Sequence, residues 1–166
     1  MTPETYTFDD DGSIPNSSLP VLVYAGALDS DAGTRAYEEL FAGNGWLGAW
    51  RDGIYPFHHF HSTAHEVLGI AAGSAEVMLG GPGGRRFELA AGDVVVLPAG
   101  TGHCNLGSSP DLLVVGAYPN GMDWDLCRRV TPIQRPVGRP PNAPRSHCAR
   151  GTPYRRPRPS LKPPSR

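Results

Sequence analysis

The chain has 166 residues, enough for one compact domain with flanking segments, and its 21 Gly and 18 Pro leave little room for long helical bundles or coiled coils. No run approaches the roughly 20 apolar residues that span a bilayer, the N-terminus MTPETYTFDDDG is acidic where a secretion signal would be basic and then apolar, and Cys104, Cys127 and Cys148 form neither a disulfide framework nor a CxxC motif. The formal net charge of −1 hides a split: residues 1–126 carry four basic against sixteen acidic side chains, whereas residues 127–166 carry eleven basic and no acidic ones. A soluble, cytoplasmic protein with ordinary thiols is expected.

Residues 1–20 are polar and punctuated by Asp, Gly and Pro, so a short strand at Tyr6 to Phe8 is the most they predict. Val21 to Ala25 reads as the first clear strand. Asp29, Ser30 and Asp31 then offer N-caps to a helix with Ala32, Ala36 and Leu40 on one stripe and Tyr37 and Phe41 on another, closed by Gly43 to Gly45. From Trp46 the pattern changes to short β-like runs: Trp46 to Trp50, Tyr55 to His61, His65 to Ala71, Ala75 to Leu79, Arg86 to Leu89, Val94 to Leu97, His103 to Leu106 and Leu112 to Ala117. Gly-containing turns separate them, among them Gly80 to Gly84, which lacks the Lys and Ser/Thr of a phosphate loop and reads as a hairpin tip. Such spacing predicts an all-β antiparallel sandwich or barrel with one short helix.

The tail holds ten of the prolines, a density that blocks helix and sheet ladders, so disorder is expected there. Three readings of it stand side by side. It could bind nucleic acid through counterion release, a reading disfavoured because Tyr154 is its one aromatic. It could fold back on the acidic body, screened by salt. Or its Arg, Pro, Ala, Gly and Ser could be what a shifted frame of a GC-rich gene encodes. The predicted organisation is an N-terminal segment (1–20), a β domain (21–126) and a basic Pro-rich tail (127–166).

Four of the six histidines, His58, His59, His61 and His65, lie within eight residues. On a strand, alternation sends His59 and His61 to one side and His58 to the other. After a turn through Ser62, Thr63 and Ala64, Glu66 opens the next strand and can reach the same space, and His103, beyond the tight PAGTG turn, can supply a further imidazole. Three imidazoles and one carboxylate suit a divalent transition metal with positions left for water or substrate. The alternative is that these histidines serve the surface or the core without metal. His58 and His65 are expected to face away from the cluster, and Cys104, alternating out from His103, to serve packing.

Gly53, five residues, His59, Phe60, His61, four residues, Glu66, six residues and Gly73 resemble the first motif of the cupin family at every defining position. Gly92, five residues, Pro98, Ala99, Gly100, two residues and His103 resemble the second, with 18 residues between Gly73 and Gly92. The family pattern has Asn where this chain has Gly107; Asn105 lies two residues earlier. The strings HHFHSTAHEVLGI and AGDVVVLPAGTGHCNL, with the later YPNGMDWDL, look further like the single-domain bacterial cupins of the YjlB type, over roughly residues 20–126.

The resemblance implies an RmlC-like jelly-roll barrel with a divalent metal, Fe, Mn, Ni, Cu or Zn, held by His59, His61, Glu66 and His103, and a homodimer. Gly53, Gly73, Gly92 and Gly100 are expected in turns with special backbone angles, and Val67, Ile70, Val77, Leu79, Phe87, Leu89, Val95, Leu97, Val114 and Tyr118 in the barrel wall or the outer packing. Cupin barrels host many chemistries, so function follows from the site. The leading expectation is a small metal-dependent enzyme, an oxygenase or isomerase, acting on a small-molecule substrate, and the alternative is a non-enzymatic ligand-binding or sensing module. His65, Tyr55 and Glu76 are the candidates for a general base, none singled out by pattern.

Overall fold

The structure, a computed structural model, describes residues 1–129; the tail expected to be disordered lies outside the described residues from position 130 onward. In chain order the elements are β1 (Glu4–Tyr6), β2 (Val21–Tyr24), α1 (Gly33–Gly43), β3 (Trp46–Asp52), β4 (Glu66–Ala72), β5 (Ser74–Leu79), β6 (Arg85–Ala90), β7 (Val94–Leu97), β8 (His103–Ser108) and β9 (Leu113–Pro119). A six-stranded sheet runs β1-β2-β7-β4-β9-β3 and a three-stranded sheet runs β6-β5-β8, with every pairing antiparallel. The expected all-β antiparallel jelly roll with one short helix is present. It is not a closed barrel, because no ladder among the described residues joins the two sheets.

Strand β4 sits mid-sheet between β7 and β9 and, beyond its first residue Glu66, is apolar on both faces, as suits a strand covered on both sides. Its inward residues Leu68 and Ile70 join Val77, Leu79, Leu89, Val95, Leu97 and Val114 in the core between the sheets. Its outward residues Val67 and Ala71 pack with Tyr37 and Phe41 beneath α1, so Val67 belongs to the outer layer. Phe87 is partly buried against the inner core, edge-on to Tyr6 at 4.8 Å between ring centres.

Three local expectations are corrected. The helix starts from Ala32 with no side-chain cap, so Asp29, Ser30 and Asp31 do not cap it, although the Asp29 carbonyl accepts the Ala32 N–H. Its buried stripe is Tyr37 and Phe41, while Leu40 stays 37% exposed. The run Tyr55 to His61 is no regular strand. Pro56 cannot donate to a ladder, and only isolated bridges form, His59 to His103 and Phe60 to Cys127. Gly73, Gly92 and Gly100 take positive φ as expected, but Gly53 does not, and a Cβ there would meet open space.

The helix is seated on β4 by one close approach. A Cβ on Gly69 would lie 2.2 Å from Tyr37 Cδ1, so only glycine admits the ring. The Tyr37 hydroxyl then donates to the Ile70 carbonyl at 2.5 Å and accepts the Gly92 N–H at 2.9 Å. Among the described residues no helix is long and apolar enough to cross a membrane.

Overpacking this seat should be costly. Gly69→Ala is expected to lower stability by about 1–3 kcal/mol, read as an earlier urea midpoint, whereas Leu40→Ala on the exposed helix face should stay within about 0.5 kcal/mol.

Candidate metal centre

The four side chains of the cluster are delivered by three devices. His59 and His103 exchange backbone hydrogen bonds, His59 N–H to His103 O at 3.1 Å and the reverse at 2.9 Å, which places their rings side by side at 4.0 Å between centres. His61 follows two residues later on the same side, and its carbonyl accepts the Gly100 N–H at 2.7 Å, tying it to the turn that begins at Pro98. Glu66 is the first residue of β4, opposite Leu97, and shares its inward face with Leu68 and Ile70. All four predicted residues are thus brought together, each 3–5% exposed.

The ring nitrogens are committed in one sense. His59 Nδ1 bonds the Phe57 carbonyl at 2.9 Å, His61 Nδ1 the Asp125 carbonyl at 2.5 Å and His103 Nδ1 the Thr101 carbonyl at 3.2 Å. A carbonyl can only accept, so each Nδ1 carries a proton; a ring in its neutral form is left with its lone pair on Nε2, the atom a metal would take, and a protonated ring turns an Nε2–H to Glu66. One ligand atom from each of the three histidines lies within 4.8 Å of the others. Glu66 Oε2 is 3.3 Å from His61 Nε2 and 3.2 Å from His103 Nε2. The other oxygen, Oε1, accepts the Tyr118 hydroxyl at 2.6 Å.

Burial opposes the charge on Glu66, but the neighbouring His61 and His103 outweigh it and hold the carboxyl well below the usual carboxylate range. Burial likewise presses His61 down, and the Glu66 carboxylate reverses this and raises it. His59, buried and beside His103, is pushed down to about 2. This donor set fits a divalent cation: three imidazole nitrogens aimed inward and an ionised buried carboxylate in need of positive charge.

Beside the cluster opens a cavity of about 260 Å³, whose walls include Trp50, Ile54, Tyr55, Leu68, Tyr118 and Trp124. Of the residues considered as a general base, Tyr55 lines it, but Glu76 is on β5, paired at 2.8 Å with Arg86 outside the cavity. His65 is exposed and accepts the Ala99 N–H on Nδ1 at 2.8 Å, bracing the Pro98 turn and taking no place at the cluster. Cys104 is buried and its thiol is raised by burial, which suits packing. Asn105 turns its side chain to Ser108 and to the Gly107 N–H, away from the histidines.

Sequence reasoning overlooked the segment after β9. Trp124 packs edge-on against His61 at 5.0 Å and stacks on Tyr118 at 5.7 Å, and Asp125 grips both His61 and Ser62. No spacing rule links positions so far apart in the chain, and the string YPNGMDWDL was its one visible trace.

The protonation pattern sets a pH dependence for the metal-free protein. Below the ordinary histidine value of 6.5 the unfolded chain protonates His59 and the folded one does not, so stability rises with pH by up to about 1.4 kcal/mol per unit in that range. Above 6.5, the folded state retains the His61 proton that the unfolded state has lost, so its contribution is lost as pH rises through the raised value. Urea midpoints measured from pH 5 to 9 should pass through a maximum near neutrality, and His59→Gln should flatten the acid limb.

Residues 51–121 match the cupin family. The chain is 44% identical over 124 residues to the uncharacterized protein YjlB of Bacillus subtilis (strain 168), covering 74% of this chain and 73% of that relative. Among solved structures it is similar to acireductone dioxygenase from Bacillus anthracis with a cadmium ion in its active centre, at 17% identity and TM-score 0.40, over 51% of this chain and 58% of that one. It is also similar to the formate complex of Lactobacillus farciminis oxalate decarboxylase, at 20% identity and TM-score 0.39, over 74% of this chain and 32% of that one. The chain therefore spans less than two thirds of either enzyme. With both histidine motifs, the antiparallel fold and a relative of this identity in agreement, the chain belongs to the cupin family.

Proposed function

We propose that the protein is a small metal-dependent enzyme of the oxygenase or isomerase type, in which His59, His61, Glu66 and His103 hold one divalent ion, Fe, Mn, Ni, Cu or Zn. The observation that carries this reading is the common tautomer: every Nδ1 is bonded to a backbone carbonyl, leaving three Nε2 atoms beside an ionised, buried carboxylate. Bound there, such an ion supplies Lewis acidity or, if redox-active, access to dioxygen chemistry.

The chain's own residues then have separable tasks. Tyr118 holds Glu66 Oε1, so the carboxylate presents a single oxygen, Oε2, between His61 and His103. Trp50, Tyr55 and Trp124 offer ring faces that exclude water and orient a planar or apolar portion of a substrate. The cavity of about 260 Å³ is below the range of about 300–1,000 Å³ common for drug-sized ligands, which favours a small molecule with an oxygen donor. Pairing of two copies, expected from the family resemblance, would have the edge strand β3 with its 44% exposed Leu47 available to it.

Elemental analysis of protein prepared without a His-tag or chelator is expected to find about one divalent ion per chain, lost in the His59→Ala, His61→Ala double variant. Absence of metal from the wild type even after reconstitution would overturn the reading. With metal present, conversion of a small oxygen-bearing compound, followed by oxygen uptake if the ion is iron, supports an enzyme. A compound that saturates the site and is recovered unchanged would leave a binding module. Tyr118→Phe keeps the ring and frees Oε1, and should weaken metal binding about tenfold in a chelator competition.

A further inference from the structure

We propose that Asp125 is a positioning residue that aims the His61 ring, and that residues 124–127 form a clasp across the outer side of the metal centre. The inference rests on the reading of His61 as a ligand, yet its geometry stands without metal. Asp125 grips two successive residues by two routes. Its backbone carbonyl accepts His61 Nδ1–H at 2.5 Å, while its carboxylate accepts the Ser62 N–H on Oδ1 at 2.7 Å and the Ser62 hydroxyl on Oδ2 at 2.5 Å. Cys127 Sγ adds a longer contact to Oδ2 at 3.4 Å. Burial works to raise the Asp125 carboxyl, and the Ser62 donors outweigh it, so the acceptor remains ionised.

The two routes are coupled by covalent geometry. With the carboxylate pinned to Ser62, the carbonyl of the same residue is brought to one place, beside the ring one position earlier. The clasp itself is docked independently: Cys127, 1% exposed, exchanges backbone hydrogen bonds with Phe60 at 2.9 and 3.0 Å, and Trp124 packs on His61. Removing the carboxylate should therefore leave the clasp in place and release only the carbonyl that orients His61. His59 and His103 have no such device. Their Nδ1 partners, Phe57 and Thr101, are each two residues away on the same stretch of chain, whereas Asp125 is 64 residues from His61. Two of the three imidazoles are thus oriented locally and the third from a distant segment. Partners of this kind fix ring orientation and tautomer, and their loss commonly costs about 10- to 100-fold in metal affinity.

The decisive measurement is the solvent-exchange rate of the imidazole Nδ1–H protons in the full-length, metal-free protein, followed by NMR, with the His59 and His103 protons as internal references. Asp125→Ala is expected to speed exchange at His61 by about tenfold or more relative to both references, and Asp125→Asn, which keeps one acceptor oxygen, to restore part of the protection. Equal acceleration at all three rings, or none at His61, would overturn the proposal and make the clasp a purely structural strap. Should Asp125→Ala fail to fold, Ser62→Ala makes the same comparison by removing only the hydroxyl donor. A parallel Mn(II) or Co(II) titration should show affinity falling at least about tenfold in the same variants. A wild type that binds neither ion refutes the metal reading alone, because the exchange rates still decide the role of Asp125.

Discussion

A carboxylate placed in an apolar interior must be compensated, and the centre of this molecule is arranged around that constraint. Glu66 is 3% exposed. Left alone in such surroundings it would take up a proton, because desolvation penalises the charged form by several kcal/mol. It remains ionised because His61 and His103 face one oxygen and the Tyr118 hydroxyl donates to the other. Strands β4 and β9, which supply Glu66 and Tyr118, must hold register with one another, since a one-residue slip of β4 would turn Glu66 into the helix layer.

The helix side of the sheet answers to a different demand. Its α1 has no side-chain cap and a single buried stripe, so its own propensity contributes little and packing keeps it in place. Gly69, inside the central strand, removes the side chain that would block Tyr37, and the Tyr37 hydroxyl reaches through to Ile70 and Gly92. The strand that presents Glu66 on one face is thereby pinned from the other. The histidine and glutamate cluster is backed by the helix layer behind the sheet.

A contrast runs through the three imidazoles. His59 and His103 are each tied at Nδ1 to a carbonyl two residues away, so their ring orientation is set locally. His61 depends on a segment that follows the last strand in the chain. This makes the geometry of the cluster conditional on a segment beyond the last strand, the acidic and aromatic string DWD at residues 123–125.

The amino-acid sequence by itself determined the class of fold, the cupin motifs and the members of the His59, His61, Glu66 and His103 cluster, because the β-like runs and the motif spacings are legible in the linear chain. Alternation separates His59 and His61 from His58, and Glu66 opens the following strand. It also misassigned what depends on context. Tyr55 to His61 has the composition of a strand, but Pro56 denies it a ladder and only bridges form. Asp29, Ser30 and Asp31 have the chemistry of N-caps, but the chain enters the helix at Ala32. Only the tertiary structure decided which face of β4 meets the helix, that Tyr118 holds Glu66, and that Asp125 orients His61 from 64 residues away. Such contacts have no signature in a linear chain, since their partners are set by sheet order and strand register, which the pairing of distant strands fixes and no local pattern encodes.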